Sequence, residues 1–527
     1  MVTFASRKKH VLVGEHKVLD QEAIYARVIG LLVSNRDLDL AQVLSTELAA
    51  YPPYMFHPDG HTRMATGKSV LKKNLSMEVA FRELGSPTAV VIDVSAVLWT
   101  IDWPTKGSVQ TFVEGFKVWL SSKLSESHTY LVFDRYRDFS IKSSTRAARD
   151  TTSSRVHKLN MKSPLPARDS VLKCTKNKVQ LNHLLCEQIL NDDDFLSQST
   201  QYHHLVVTGD GSIPTQVFKG RKHPHLQLAS EHEEADNIMT QQACYICQNP
   251  QARVSIVCDD TDVFALLLHH YAAQNLQCPM IMQSPIHGRK CVDISATVNK
   301  HSDIISQVLA VHAISGCDTV AAIYGVGKVT AISVAKKGFK LNSIGKVGAD
   351  MKQVEREATA FIAACYCSNM KCNSMTECRQ RMWAIKTGKN TTSAPKLCSL
   401  PPTTEAFVQN VLRCHYQVAQ WYGALESNPP PLNPVEFGWD ADHTNKSLFP
   451  CTVTEGVSLV PETVLKLIRC GCESERACKG NNCGCTGRQV TCTIFCACAG
   501  GLGCSNPFSK NNVSAEDEDN EDVSDEN

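Results

Sequence analysis

The chain reads as an α/β protein on a mainly parallel sheet, with helical segments before and after it and a small cysteine-rich module near the end. Three observations lead there. Four short β-branched apolar runs, TAVVIDVSAVLW, TYLVFDRY, HLVVTGD and RVSIVCDDTD, alternate with helical stretches over residues 87–347. Strands apolar at every position, rather than at alternate ones, are buried on both faces, which is the pattern of a parallel sheet covered by helices. Residues 1–86 and 348–428 carry apolar side chains at helical spacing, and nine of the 24 cysteines crowd between Cys470 and Cys504.

Taken in order, VLDQEAIYARVIGLLV and LDLAQVLSTELAA predict helices in residues 1–86, and YPPYMFHPDGH is a turn after them. No chemistry is assigned to that module. The α/β part follows over residues 87–347, and in such sheets ligands bind beyond the carboxyl ends of the strands. Residues 348–428 are expected to be helical again, interrupted by SLPPTTE. Residues 429–464, with NPPPLNPVEFGWD, read as a proline-rich linker, and residues 465–507 as a metal-held cysteine module. The tail over residues 508–527 has eight acids and no base after Lys510, too little apolar content to fold.

Composition narrows the class. A hydrophobic share of 43% is ordinary for a soluble protein, and no apolar run approaches the roughly 18–20 residues of a membrane span. MVTFASRKKHVLVGEHK lacks the features of a signal peptide, so an intracellular protein with reduced thiols is expected. The net charge of +1 conceals polarity: Lys142 to Lys178 holds ten Lys or Arg against two acids.

The acids are the informative residues. Asp93, Asp134, Asp260 and Asp262 fall at strand ends, Glu234 and Asp236 lie in EHEEADNIM, and Asp318 in HAISGCDTVAAIYGVGKVTA. Anions gathered in one cleft repel one another unless cations neutralise them. Phosphodiester hydrolysis needs an activated water and a stabilised leaving oxygen, which two Mg²⁺ or Mn²⁺ ions about 4 Å apart supply. Glu234 and Asp236, two apart, share a direction only where a helix begins. Each acid taken singly is better explained as a helix cap or solvated loop residue; seven in matching contexts are harder to explain so.

These residues carry a resemblance. Residues 87 to 347 look like the flap-endonuclease/XPG-type nucleases, which have a PIN-like three-layer α/β/α core. Asp93 and Asp134 resemble that family's first two strand acids, Glu234 and Asp236 its paired acids, Asp260 and Asp262 its D-x-D segment, and Asp318 its last acid. Lys142 and Arg149 stand seven apart, like the basic pair the family uses on the scissile phosphate. The basic stretch from Lys142 to Lys178 occupies the place of the family's mobile arch over single-stranded DNA. GVGKVTA resembles its helical DNA-binding hairpin, which implies that Gly325, Gly327 and Lys328 meet duplex backbone. The family's own start is replaced by residues 1–86, and the turn after the second strand is FDRY rather than FDG.

The cysteines Cys470, Cys472, Cys478, Cys483, Cys485, Cys492, Cys496, Cys498 and Cys504 are spaced C-x-C-x5-C-x4-C-x-C-x6-C-x3-C-x-C-x5-C. Thiolates at such spacing suit tetrahedral Zn²⁺, and nine of them serve three metals only if some sulfurs bridge. The segment is similar to the Tesmin/TSO1-like CXC domain, a DNA-binding module that holds about three zinc ions. That group's minor-groove tyrosine is Asn482 here. Lys466, Arg469, Arg476, Lys479 and Arg488 are the cations available for phosphate. Elsewhere, Cys244 and Cys247 fit a buried helix face, and Cys365, Cys367, Cys372 and Cys378 fit core packing better than a further zinc.

The expectation is a Mg²⁺- or Mn²⁺-dependent nuclease acting on DNA, branched or single-stranded, joined to a zinc-held DNA-binding module and placed in the nucleus. RNA is an alternative substrate. The competing reading is an inactive PIN-like scaffold that binds nucleic acid or chromatin through the cysteine module.

Overall fold

The computed structural model describes residues 10–13, 16–19, 25, 39–47, 51–57, 59–65, 67–80, 86–137, 140–142, 155–389, 395–442, 444, 447–454, 470–472, 478–480, 482–488, 492, 496–498 and 504–507. The chain divides into two compact units, one of residues 62–373 with 408–451, the other of residues 1–61, 374–407 and 452–527.

The larger unit is a mixed α/β structure around a nine-stranded sheet. Its strands are β1 (Met77–Val79), β2 (Ala89–Asp93), β3 (His128–Val132), β4 (Leu205–Thr208), β5 (Thr215–Phe218), β6 (Arg221–Pro224), β7 (Val254–Val257), β8 (Met280–Gln283) and β9 (Cys291–Asp293). Their spatial order is β1-β9-β8-β7-β2-β3-β4-β5-β6. The five central strands, β8 to β4, run parallel, and an antiparallel pair closes each side. The four apolar runs of the sequence are β2, β3, β4 and β7, which lie next to one another.

Alternation across this sheet sorts the core. Val90, Ile92, Leu131, Phe133, Leu205 and Val207 face one cluster, where α3 (Val109–Leu124) and α4 (Thr175–Leu190) bring Phe112, Phe116, Leu120, Leu181, Leu185 and Ile189. The intervening Val91, Val132 and Val206 are equally buried, on the face against which α5 (Ala235–Cys247) packs. Each such side chain contributes roughly 1.5–3 kcal/mol of transfer free energy, which fixes the register of every strand. The outermost β6 reads Arg-Lys-His-Pro and is exposed along its whole length.

The remaining helices that concern the site are α1 (Ser69–Leu75), α2 (Val94–Val97), α6 (Thr261–Ala273), α7 (Val308–Ile314) and α8 (Lys328–Lys336). Here the structure departs from the sequence reading. Residues 62–79 were expected in a separate helical module, yet α1 and β1 belong to the larger unit, and β1 is its edge strand. The hairpin Trp439–Asp442 with Ser447–Pro450 lies within the expected proline-rich linker. It is anchored by Arg413, whose Nη1 donates to Gly438 O at 2.8 Å and Cys451 O at 2.7 Å, and Trp439 is buried. Of the expected basic arch, residues 143–154 lie outside the described residues, and Lys173, Lys176 and Lys178 are at or within helices. Against the expectation of reduced thiols, Cys247 and Cys278 form a disulfide with a Cα–Cα distance of 5.4 Å, tying the end of α5 to the approach of β8.

The smaller unit has a hairpin, His10–Val13 with His16–Leu19, and the helices Leu40–Leu44 and Met375–Lys389. Lys17 to Leu19, at the start of the first expected helix, are strand, and most of that helix lies outside the described residues. Glu47 is buried and accepts from the Thr403 backbone N–H at 3.1 Å and from the Thr403 hydroxyl. Burial raises its carboxyl above the ordinary value, and Arg379 offsets this only in part. The cysteine module belongs to the same unit. No helix among the described residues is long and apolar enough to cross a membrane.

Candidate metal centre and cysteine cluster

The carboxylates are delivered by helix starts. Asp93 ends β2 and is the N-cap of α2, accepting from Ala96 N at 3.2 Å. Asp260 follows β7 and caps α6, accepting from Asp262 N at 2.8 Å. Glu234 occupies the cap position of α5, with φ −78° and ψ 124°. Asp236 and Asp262 each lie two residues further, in the first turn of their helices. One device is therefore used twice: an extended cap residue lets two acids at i and i+2 serve one cleft, although a continuous helix would splay them.

Asp134 follows β3 and accepts from Ser95 Oγ at 2.7 Å and Tyr136 Oη at 3.4 Å. Arg135 beside it points the other way and is buried. Its guanidinium donates to the carbonyls of Gly209 (2.9 Å), Gly211 (2.5 Å), Ser230 (2.6 Å) and His232 (2.9 Å). The arginine of FDRY thus gathers the loop after β4 and the segment that leads into Glu234.

Two lysines reach into the acids. Lys142 Nζ lies 3.1 Å from Glu234 Oε1 and 3.7 Å from Asp236 Oδ2. Lys68 Nζ, at the start of α1, pairs with Asp318 Oδ1 and lies 3.6 Å from Asp262 Oδ2. His312 of α7 donates from Nε2 to Asp262 Oδ1 at 2.7 Å. Cys258 Sγ lies 3.4 Å from Asp93 Oδ2 and accepts from Asp260 N at 3.3 Å.

The electrostatics bind these residues into one unit. Burial, then the neighbouring Asp134, pushes Asp93 up to about 7. Asp260 reaches solvent from a recess, where partial desolvation and then Asp262 push it up to about 6. Burial and Asp260 hold Asp236 well above the usual range, and burial raises Glu234 despite Lys142. Burial opposes the Lys142 charge, but Glu234, Asp236, Asp262 and Asp318 outweigh it and raise the ammonium well above its ordinary value. For Asp262 burial is likewise outweighed, by the His312 hydrogen bond and by Lys68, and its carboxyl is held far below the usual range. The helix starts at Asp93 and Asp260 favour anions, yet desolvation and like charge win. A donor set of hard oxygens short of positive charge fits a divalent cation of the Mg²⁺ or Mn²⁺ type.

These shifts set a pH dependence with a definite sign. Carboxyls raised in the fold hold more protons there than in the unfolded chain between about pH 4 and pH 7. These carboxyls therefore contribute a loss of stability as pH rises through that window, against the opposite contribution of the histidines that burial lowers, and Mn²⁺ is expected to stabilise the protein most at the upper end. Thermal melts from pH 4.5 to 7.5 of the wild type and of the Asp93→Asn, Asp260→Asn double variant check this: the wild type, relative to the variant, should lose stability as pH rises, and a difference that does not change with pH would refute it.

Lys328, which the motif implies on a DNA-facing hairpin, is instead 4% exposed and donates to His312 O at 2.5 Å and Gly316 O at 2.6 Å. Burial lowers its ammonium to about 7. It braces the turn that carries Asp318. Gly325, at φ +80°, and Gly327 are exposed, and a Cβ at either would meet open space. Arg149, Lys466, Arg469 and Arg476 lie outside the described residues, Lys479 is exposed, and Arg488 falls in the short turn Thr486–Arg488. Sequence reading missed Lys68, His312, Cys258 and Arg135. His312 lies within a quoted motif, whereas Lys68 had no local signal.

Among the described residues, the groups of three or more potential ligands with donor atoms within 4.8 Å of one another are all thiols. No three of the acids bring their oxygens that close; Lys142 bridges Glu234 and Asp236, and Lys68 bridges Asp262 and Asp318. The thiols form four overlapping tetrads from all nine cysteines, with Cys470 and Cys492 each in three of them. Cys470 Sγ lies 3.7 Å from Cys478, 3.8 Å from Cys492 and 3.6 Å from Cys498. Asn506 Nδ2 donates to Cys492 Sγ at 3.1 Å.

No protein-family model and no curated protein matches the chain. Among solved structures it is similar to the T5 D15 protein co-crystallised with metal ions, at 11% identity and TM-score 0.32, covering 64% of this chain and 91% of that one. The catalytic core of Rad2 in complex with a DNA substrate gives 11% identity and TM-score 0.32, covering 68% and 99%. Human GEN1 in complex with Holliday junction DNA gives 10% and 0.31, covering 68% and 78%.

Proposed function

We propose that this chain is a metal-dependent phosphodiesterase of the PIN-like, flap-endonuclease type that cuts DNA and is anchored by a zinc-held, CXC-type DNA-binding module. The carrying observation is the grouping of Asp93, Asp134, Glu234, Asp236, Asp260, Asp262 and Asp318 around strand ends and helix starts, with four carboxyls raised by desolvation and mutual repulsion. Asp93, Asp134, Asp236 and Asp260 would hold Mg²⁺ or Mn²⁺. When bound, such an ion activates water and stabilises charge on the phosphate.

The chain's own groups do the rest. Lys142 would turn from Glu234 and Asp236 toward an incoming phosphate as a permanently charged donor. Ser95 orients Asp134, and Arg135 holds the loops that set the cleft wall. Gly325 and Gly327 leave backbone N–H groups open to a phosphate of the duplex arm. Chromatin DNA as substrate would place the protein in the nucleus.

The deciding assay incubates the purified chain with flap, duplex and single-stranded DNA, and with matched RNA, in Mg²⁺ or Mn²⁺. Cutting of DNA that EDTA abolishes is the expected result, and binding without cutting under every condition refutes it. RNA cut in preference to DNA would reassign the substrate. The scaffold reading draws on one observation: two lysines already occupy the acids.

The cysteine module makes its own prediction. Because Cys470 and Cys492 recur in most tetrads, replacing both by serine is expected to remove essentially all bound zinc and to unfold the segment, which has little other core. Elemental zinc analysis reads this. Retention of most of the zinc would show that neither sulfur bridges metals.

A further inference from the structure

We infer that Lys68 is a built-in cation that stands in for one of the two divalent ions expected at the carboxylate cluster. The chain then takes one divalent ion, on the side of Asp93, Asp134, Asp236 and Asp260. This rests on the reading of the cluster as a divalent-metal site, and it changes how many ions the site holds.

The geometry divides the acids. Asp262 has both oxygens engaged by protein groups: Oδ1 by His312 Nε2 at 2.7 Å, and Oδ2 by Lys68 Nζ at 3.6 Å. Lys68 also pairs with Asp318 Oδ1. An ion bound between Asp262 and Asp318 would have to displace that ammonium. On the other side, Asp93, Asp134 and Asp260 make no ion pair with any described residue. Their partners are the N–H groups of Ala96 and Asp262, the hydroxyls of Ser95 and Tyr136, and the thiol of Cys258. Asp236 on that side is paired with Lys142 at 3.7 Å, which leaves the three other carboxyls without an ion-pair partner of their own, and a divalent ion is drawn to that excess of negative charge.

Lys68 is also held in place. It caps α1, whose Leu71 and Leu75 are fully buried. The chain before it is fastened where Ala322 N donates to Arg63 O at 2.8 Å and the Arg63 guanidinium lies 5.6 Å from the centre of the Tyr324 ring. His312 is buried, with its ring 5.6 Å from that of Trp421 and 14° from parallel to it. A cation on a packed element is a fixed part of the site, unlike one on an arm that swings away. An ammonium neutralises charge and donates hydrogen bonds, but it cannot polarise water as a divalent ion does. Its role here is to settle the charge of Asp262 and Asp318.

The test counts ions. Binding of Mn²⁺ to the full-length, zinc-loaded chain is followed by electron paramagnetic resonance of the free ion. Wild type is expected to bind one Mn²⁺, Lys68→Met (which keeps the stem and loses the charge) two, and Lys68→Arg one. Two ions in wild type, or one in Lys68→Met, overturn the proposal. Should Lys68→Met fail to fold, the wild-type count decides. No Mn²⁺ binding by wild type, with zinc retained, would instead sink the metal-site reading itself.

Discussion

Replacing Asp93 and Asp260 together by asparagine is expected to abolish metal-dependent cleavage while leaving the fold and DNA binding intact. The two side chains sit on different strand ends, each caps a helix, and neither is paired with a cation. Asparagine keeps shape and capping ability but removes the charge that draws a divalent ion. A metal's share of transition-state stabilisation is several kcal/mol, and about 1.36 kcal/mol corresponds to tenfold in rate. A loss on the order of 10³-fold or more follows, read as single-turnover cleavage at saturating Mg²⁺. The same variant should be more stable than wild type without metal near pH 7, because two crowded, desolvated anions are gone. A variant that cleaves at wild-type rate would place the chemistry elsewhere.

The largest effect on stability is expected at Arg135. Its side chain satisfies four carbonyls, those of Gly209, Gly211, Ser230 and His232. Arg135→Ala leaves these acceptors without their donor in a confined space, where each unsatisfied group costs roughly 1–3 kcal/mol before relaxation or water entry. With partial relaxation the net loss should be about 3–5 kcal/mol, within the range seen for broken buried polar networks. Arg135→Lys should recover little, since one ammonium cannot reproduce the planar fork that addresses several carbonyls. Denaturant unfolding followed by tryptophan fluorescence measures both. A loss under about 1 kcal/mol for Arg135→Ala would mean that the loops hold without it.

Four of the five central strands were legible because burial on both faces writes itself into the chain as continuous apolar runs: AVVID, YLVF, LVVT and VSIV are all parallel strands of one sheet, whereas the fifth, Met280 to Gln283, was not read. The edge strands were not. Arg221 to Pro224 has no β-branched or aromatic apolar side chain, and Met77 to Val79 and Cys291 to Asp293 are three residues each, too short for periodicity to register. The acids were found because strand ends and helix starts carry local signals. Lys68 was not, since the contact that gives it meaning spans 250 positions of sequence. Lys328 was misplaced for a related reason: a lysine after two glycines looks like a surface cation, and only the fold shows carbonyls of another turn enclosing it.

The exposed Arg-Lys-His-Pro strand at the margin of the sheet has a consequence for life in a crowded cell. A broad sheet that ended in a bare apolar ribbon would invite a second molecule to extend it, and a third after that. Here the last ribbon carries positive charge and closes on a residue without an amide hydrogen, so like margins repel and further growth finds no regular ladder to copy.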